Sequence, residues 1–85
     1  MRTSFDPAKN AANIKKHGIA LANFDGFDAL PIIVEDDRFD YGETRYRAFG
    51  RIDGQRCCLV FTVREGVWHL ISLRHAHAKE MRRYE

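Results

Sequence analysis

The sequence predicts one α+β domain with N-terminal helices, an antiparallel sheet of about four strands and a short C-terminal helix. Three observations carry this reading. The chain has 85 residues, enough for one domain over 1–85 and too few for two. Its composition, 45% apolar and 31% charged, is that of a globular chain rather than a disordered one. Its hydrophobic pattern changes from helical spacing near the start to alternation punctuated by Asp53-Gly54 and Glu65-Gly66.

The first helix has clear ends. Asp6 is placed to cap it, Pro7 suits its first turn, and Gly18 suits its stop. Ala8, Ala11, Ala12 and Ile14 supply a small apolar stripe, and Lys15, Lys16 and His17 load the last turn with charge that suits the helix dipole. A second short helix is expected over Leu21 to Ala29, although Gly26 weakens it. Pro31 ends that segment, and Ile32 to Val34 reads as a short strand. Glu35 to Gly42 is acidic and turn-rich, so it reads as a loop whose Glu35-Asp36-Asp37 run is solvated. Thr44 to Gly50, Arg56 to Arg64 and Val67 to Leu73 then form a meander, and Ala76 to Tyr84 a charged helix.

Two-residue turns fix a register. Ile52 faces Gln55, Phe49 faces Cys58, Arg47 faces Val60, and Glu43 lies opposite Arg64; Thr62 then faces His69 and Phe61 faces Leu70. One sheet face carries Tyr46, Ala48, Leu59, Phe61, Val63, Trp68 and Leu70, a core face. The other carries Glu43, Arg45, Arg47, Thr62, Arg64 and His69, with Phe49, Cys58, Val60, Ile71 and Leu73 toward its far end. A solvated face with a Glu43–Arg64 ion pair accounts for that pattern structurally; convergence on an anion accounts for it functionally.

Charge is unevenly spread. Residues 1–41 hold five basic and seven acidic residues, and residues 42–85 hold nine and five, giving −2 and +4. Ten of the 14 cations are arginine, whose planar fork matches phosphate or carboxylate. The basic C-terminal half therefore suits an anionic partner, nucleic acid among them. Cys57 and Cys58 are adjacent, point to opposite faces of a strand and read as buried thiols of a reducing cytoplasm. No apolar run approaches the roughly 18–20 residues of a membrane span, and the polar Met1–Asn10 opening does not read as a signal peptide.

Several chemistries lack their residues. The chain has no glycine-rich phosphate loop, G-x-S-x-G elbow or H-E-x-x-H motif, and Ser72 has no evident base beside it. His69, His75 and His77 lack the cysteine or acidic partners of a zinc site, so no metal or other cofactor is expected.

Three blocks, taken together, point to a family. FDPAKNAANIKKHGI resembles the W-D-x-x-K-x-x-x-N-x-x-K-H-G-I opening of BrnT toxins, GETRYRAFG their G-E-x-R-x-x-x-x-G strand, and LISLRHAHAKEMRRYE their I-S-x-R-x-A-x-x-x-E-R-x-x-Y tail. The chain departs in having Phe5 for tryptophan and Met81-Arg82 after Glu80, and Asp36 to Asp40 is unmatched. The resemblance implies a RelE-like fold and the toxin of a type II toxin–antitoxin pair. Such a toxin is a metal-independent ribonuclease that stops translation, and its BrnA-like antitoxin binds DNA. On that expectation Arg64 and Arg74 are phosphate ligands, and His69, His75 and Glu43 are candidates for proton transfer. Lys16, His17, Arg45, Arg47, His75 and Tyr84 are candidate RNA contacts. The register places Arg74 on the core face, so its role requires a bulge or a turn of the chain in the last strand. The rival reading is a non-enzymatic module that docks an acidic partner on the same face.

Overall fold

The computed structural model describes residues 2–38 and 40–84, with the backbone alone at Tyr84. Chain order is β1 (Thr3–Phe5), α1 (Pro7–His17), a 3-10 turn (Leu21–Asn23), β2 (Ile32–Asp36), β3 (Arg45–Ile52), β4 (Gln55–Arg64), β5 (Val67–His75) and α2 (Ala78–Tyr84). The strands form one five-stranded sheet in the order β1-β5-β4-β3-β2. The α+β class holds, but the sheet is mixed: β1 pairs parallel to β5, and every other pair is antiparallel. Three residues are too few to show alternation, and β1 is a strand because β5 offers it an open edge. No helix among the described residues is long and apolar enough to cross a membrane.

The caps of α1 are those its sequence demands. The Asp6 carboxylate accepts from the Ala8 N–H at 2.7 Å, and Gly18 turns left-handed at φ 72° while its N–H closes on the Ile14 carbonyl at 2.8 Å. The apolar stripe does not bury, however. Ile14 is 46% exposed, and the one buried residue of α1 is Asn13. Its amide accepts from the Leu73 N–H at 3.0 Å and donates to the Leu73 carbonyl at 2.9 Å and the Ile19 carbonyl at 2.7 Å. β1 covers β5 only from Trp68 to Leu70, so the peptide groups of Leu73 lie beyond its reach. Asn13 takes the place of a neighbouring strand there.

The expected second helix is absent. Only Leu21–Asn23 turns, and the chain then runs irregularly through Gly26 at φ 124°, a backbone that side chains rarely adopt. This segment lids the sheet instead. Leu21 and Phe24 bury against Ala48, Leu59, Phe61, Leu70 and Leu73. Phe61 stacks on Trp68 with centroids 3.9 Å apart and planes 8° from parallel, and on Tyr46 at 5.5 Å. Phe27 lies over Gly50, where a Cβ would come within 2.7 Å of its ring. Val63, expected in the core, is 42% exposed at the strand end.

Both hairpins form as expected. Asp53 and Gly54, and Glu65 and Gly66, all have positive φ, the left-handed pair of a two-residue turn. The Asp28 carboxylate accepts from the N–H groups of Asp53 and Gly54 at 2.9 and 2.8 Å. The β3–β4 register is the one read from the sequence, and β4–β5 follows it through Phe61↔Leu70. There the pairing shifts: Val60 meets Ser72 and Ile71 is skipped. This β-bulge sends Leu73 into the main core, against expectation, and re-aims Arg74 to the opposite face, opposite Cys58. On that face Met81 of α2 buries against Phe49 and Cys58. Both cysteines are free and buried.

Asn13→Ala should strip the Leu73 peptide of both partners and cost about 3 kcal/mol, roughly 10–20 °C in Tm, by thermal denaturation. Gly50→Ala should cost about 1–3 kcal/mol in the same measurement through its collision with Phe27.

Candidate functional site

The bulge-side face is not fully covered. α1 borders it along β5 and α2 seats at its other end. Between them lies a cleft of about 320 Å³, within the size range of ligand sites. Five basic side chains line it, namely Lys9 and Lys16 of α1, Arg38 of the β2–β3 loop, Arg47 of β3 and Arg74 of β5. His17 joins them, and no carboxylate is among the lining residues. Cys58, Val60, Ile71 and Ser72 also line it.

Arg74 is held rigidly. Its Nη1 and Nη2 donate to the two carboxylate oxygens of Glu80 at 2.9 and 2.8 Å, and Nη1 also donates to the His75 carbonyl at 3.3 Å. Glu80 reaches back as well to accept from the His77 N–H at 3.1 Å, the reach-back half of a capping box at the start of α2. One carboxylate thus caps the helix and aims the arginine. The pair holds the Glu80 carboxyl down to about 2 and raises Arg74, so the guanidinium stays charged.

Arg38 is placed in the same way. Its Nε and Nη2 donate to the two oxygens of Asp36 at 2.7 and 2.9 Å, and the Tyr41 hydroxyl donates to the same carboxylate at 3.3 Å. The expectation of solvated charge here is corrected. Asp36 ends β2, is buried, and lies below the usual carboxylate range because of Arg38. The Arg47 Nε is buried without a hydrogen-bond partner, and its guanidinium lies 5.6 Å from the Phe49 ring centroid. Burial first, then Lys16 and Arg74, lower the His17 pKa below 6.5, which keeps the imidazole neutral near pH 7.

The expected site residues divide between two neighbouring clefts. Lys16, His17, Arg47 and Arg74 line the first. Arg64, His69 and Glu43 line a second, of about 450 Å³, which shares Lys9 and Ile71 with it. Arg64 donates to Glu43 at 2.9 Å, and this pair holds the Glu43 carboxyl below its ordinary range, which suits an ion-pair partner better than a base at neutral pH. Arg45 lies over the Tyr41 ring at 4.0 Å and lines neither cleft. His75 is turned to the opposite face, its Nδ1 4.0 Å from the Cys57 sulfur, beside a separate hollow. Tyr84 ends α2, and its side chain lies outside the described residues. Among the described residues no three His, Cys, Asp or Glu side chains gather as metal ligands.

Sequence reading missed Lys9, Arg38 and the partners of both clamps. The Arg74–Glu80 spacing was visible within the tail motif, where a carboxylate at the third helical position signals a reach-back cap. Arg38 gave no signal, because its place depends on Asp36 being buried.

A small α+β domain whose cleft is lined by five basic side chains and no carboxylate has the charge to hold an anion. Residues 5–80 match the family described as ribonuclease toxin, BrnT, of type II toxin–antitoxin systems, and the chain belongs to that family. No curated protein matches the chain significantly.

The Glu80 clamp has a defined pH signature. Its contribution is complete above the ordinary carboxyl pKa of 4.5 and is lost as pH falls toward about 2. Urea denaturation should show Glu80→Gln less stable by about 2 kcal/mol at pH 7. That gap should close on acidification from 4.5 to 2.

Proposed function

We propose that this chain is a metal-independent endoribonuclease that cuts RNA in the cleft under α1, arrests translation in the cytoplasm, and is silenced by a cognate antitoxin of the BrnA type. The observation that carries this reading is Arg74, clamped by Glu80 in a cleft lined by five cations. Phosphoryl transfer needs fixed positive charge where the pentavalent phosphate gains negative charge. Arginine side chains supply it here, in the role a metal ion plays in other nucleases.

The substrate contributes its own nucleophile. The 2′-oxygen attacks the adjacent phosphorus, the bond to the 5′-oxygen breaks, and the products are a 2′,3′-cyclic phosphate and a 5′-hydroxyl. Arg74 and Arg47 hold the reacting phosphate. Neutral His17 accepts the 2′-hydroxyl proton, because burial and neighbouring cations favour its uncharged form. The leaving oxygen is protonated by water in this open cleft. Arg64 and His69, in the adjoining cleft, extend the basic track to a flanking nucleotide. An antitoxin that covers the basic face closes the same track, which accounts for neutralisation without a separate inhibitory site.

Purified protein and a defined RNA test the reading. Cleavage should persist in chelator and leave cyclic-phosphate ends. Arg74→Ala should lower kcat/KM by about 10²–10³-fold. The acid limb of the pH–rate profile should fall below pH 6.5 and vanish in His17→Ala. A folded protein that binds antitoxin but neither cleaves RNA nor arrests growth would be a docking module instead.

A further inference from the structure

The cleft contains a second arginine built like the first. Arg74 and Arg38 are each gripped by both oxygens of one carboxylate, Glu80 and Asp36 respectively. They enter from different elements, one from β5 and one from the loop after β2, on the two flanks of Arg47. A guanidinium has five N–H donors, so a bidentate clamp spends two and leaves donors for another anion. The clamp also removes most of the rotamer freedom that a loop-borne arginine would otherwise lose on binding.

Asp36 is a costly way to obtain only a surface ion pair. Its side chain is 1% exposed, against 50% for Arg38. The carboxylate is buried and takes donors from both Arg38 and Tyr41, while the arginine it anchors stays accessible on the cleft wall. That asymmetry belongs to a residue held in place for a third party. β5 and β3 are two strands apart, about 10 Å at ordinary sheet spacing. A ligand touching Arg74, Arg47 and Arg38 therefore crosses the strands rather than running along them.

We propose that Arg38 is a substrate ligand that takes the phosphate next to the one held by Arg74, so that one RNA strand crosses the sheet from β5 toward the β2–β3 loop, with Asp36 as the positioning residue. This rests on the reading of the cleft as an RNA site. Arg38 lies in the segment between the motif blocks that carry the family resemblance.

The test uses the full chain and a fluorescein-labelled, 2′-O-methylated oligoribonucleotide, which binds but cannot be cut. Anisotropy titrations across a potassium chloride series give the slope of log Kd against log salt. For single strands each phosphate contact contributes about 0.7 to that slope. Arg38→Ala should flatten it by about 0.7 and weaken binding about tenfold at low salt. Lys15→Ala, on the side of α1 away from the cleft, should leave it unchanged. Arg38→Lys should restore part of the slope, since it keeps the charge without the fork. Asp36→Asn should weaken RNA binding in the Arg38 protein and add nothing in the Arg38→Ala background, a coupling that general loss of stability does not produce. A folded Arg38→Ala protein with the parental slope and affinity overturns the role of Arg38 and leaves the RNA reading standing. Parental protein that shows no salt-dependent RNA binding overturns the RNA reading and this proposal with it.

Discussion

The hydrogen bonds between the Asn13 amide and the peptide groups of Leu73 hold the functional face in register with the rest of the fold. They fasten α1 to β5 at the point where β1 has ended, and they do so just past the bulge at Ile71. Those two features together make the cleft. The bulge exchanges Leu73 for Arg74, turning one inward to the core and the other outward to solvent and its partners. The helix, once docked, brings Lys9, Lys16 and His17 alongside. A purely apolar contact would not specify one position along the strand so tightly, because hydrophobic burial is non-directional. An amide that both donates to and accepts from one residue specifies it.

Electrostatics then divides the cations into two kinds. Arg74 and Arg38 are held by carboxylates and are geometrically fixed, while Lys9, Lys16 and Arg47 keep the cleft net positive. A fixed guanidinium is worth most where charge develops during a reaction, since it needs no reorganisation at that moment. The other cations steer and retain a polyanion. Glu80 links this arrangement to the fold, because the same carboxylate that aims Arg74 also caps α2. Met81, the next residue, seats α2 on Phe49 and Cys58. Helix placement and arginine placement are therefore one structural decision.

Local chemistry was legible in the sequence wherever it determines the conformation by itself. Asp6-Pro7 and Gly18 marked the ends of α1, and the Asp53-Gly54 turn set the β3–β4 register residue by residue. What escaped was set by tertiary context. β1 is three residues long and exists only as an addition to β5. The segment after Gly18 has the apolar content of a helix but spends it covering the sheet as irregular chain. The need for a bulge was visible from the position of Arg74, yet its location was not, since one skipped residue leaves no mark on an apolar run. The same limit applied to the site. Arg74, Arg47 and His17 were named, but Arg38 depends on Asp36 being buried, and a run of acidic residues reads as solvated charge.

The most direct test of the account is a map of which side chains meet RNA. Arginine Nε–Hε and histidine ring resonances, followed by NMR while a 2′-O-methylated oligoribonucleotide is added, separate the two sheet faces. The account predicts that Arg74, Arg47 and His17 shift together while His75 and Trp68, on the opposite face, stay still. Shifts confined to His75, Trp68 and the exposed Leu30–Ile33 surface, with Arg74 unmoved, would contradict it.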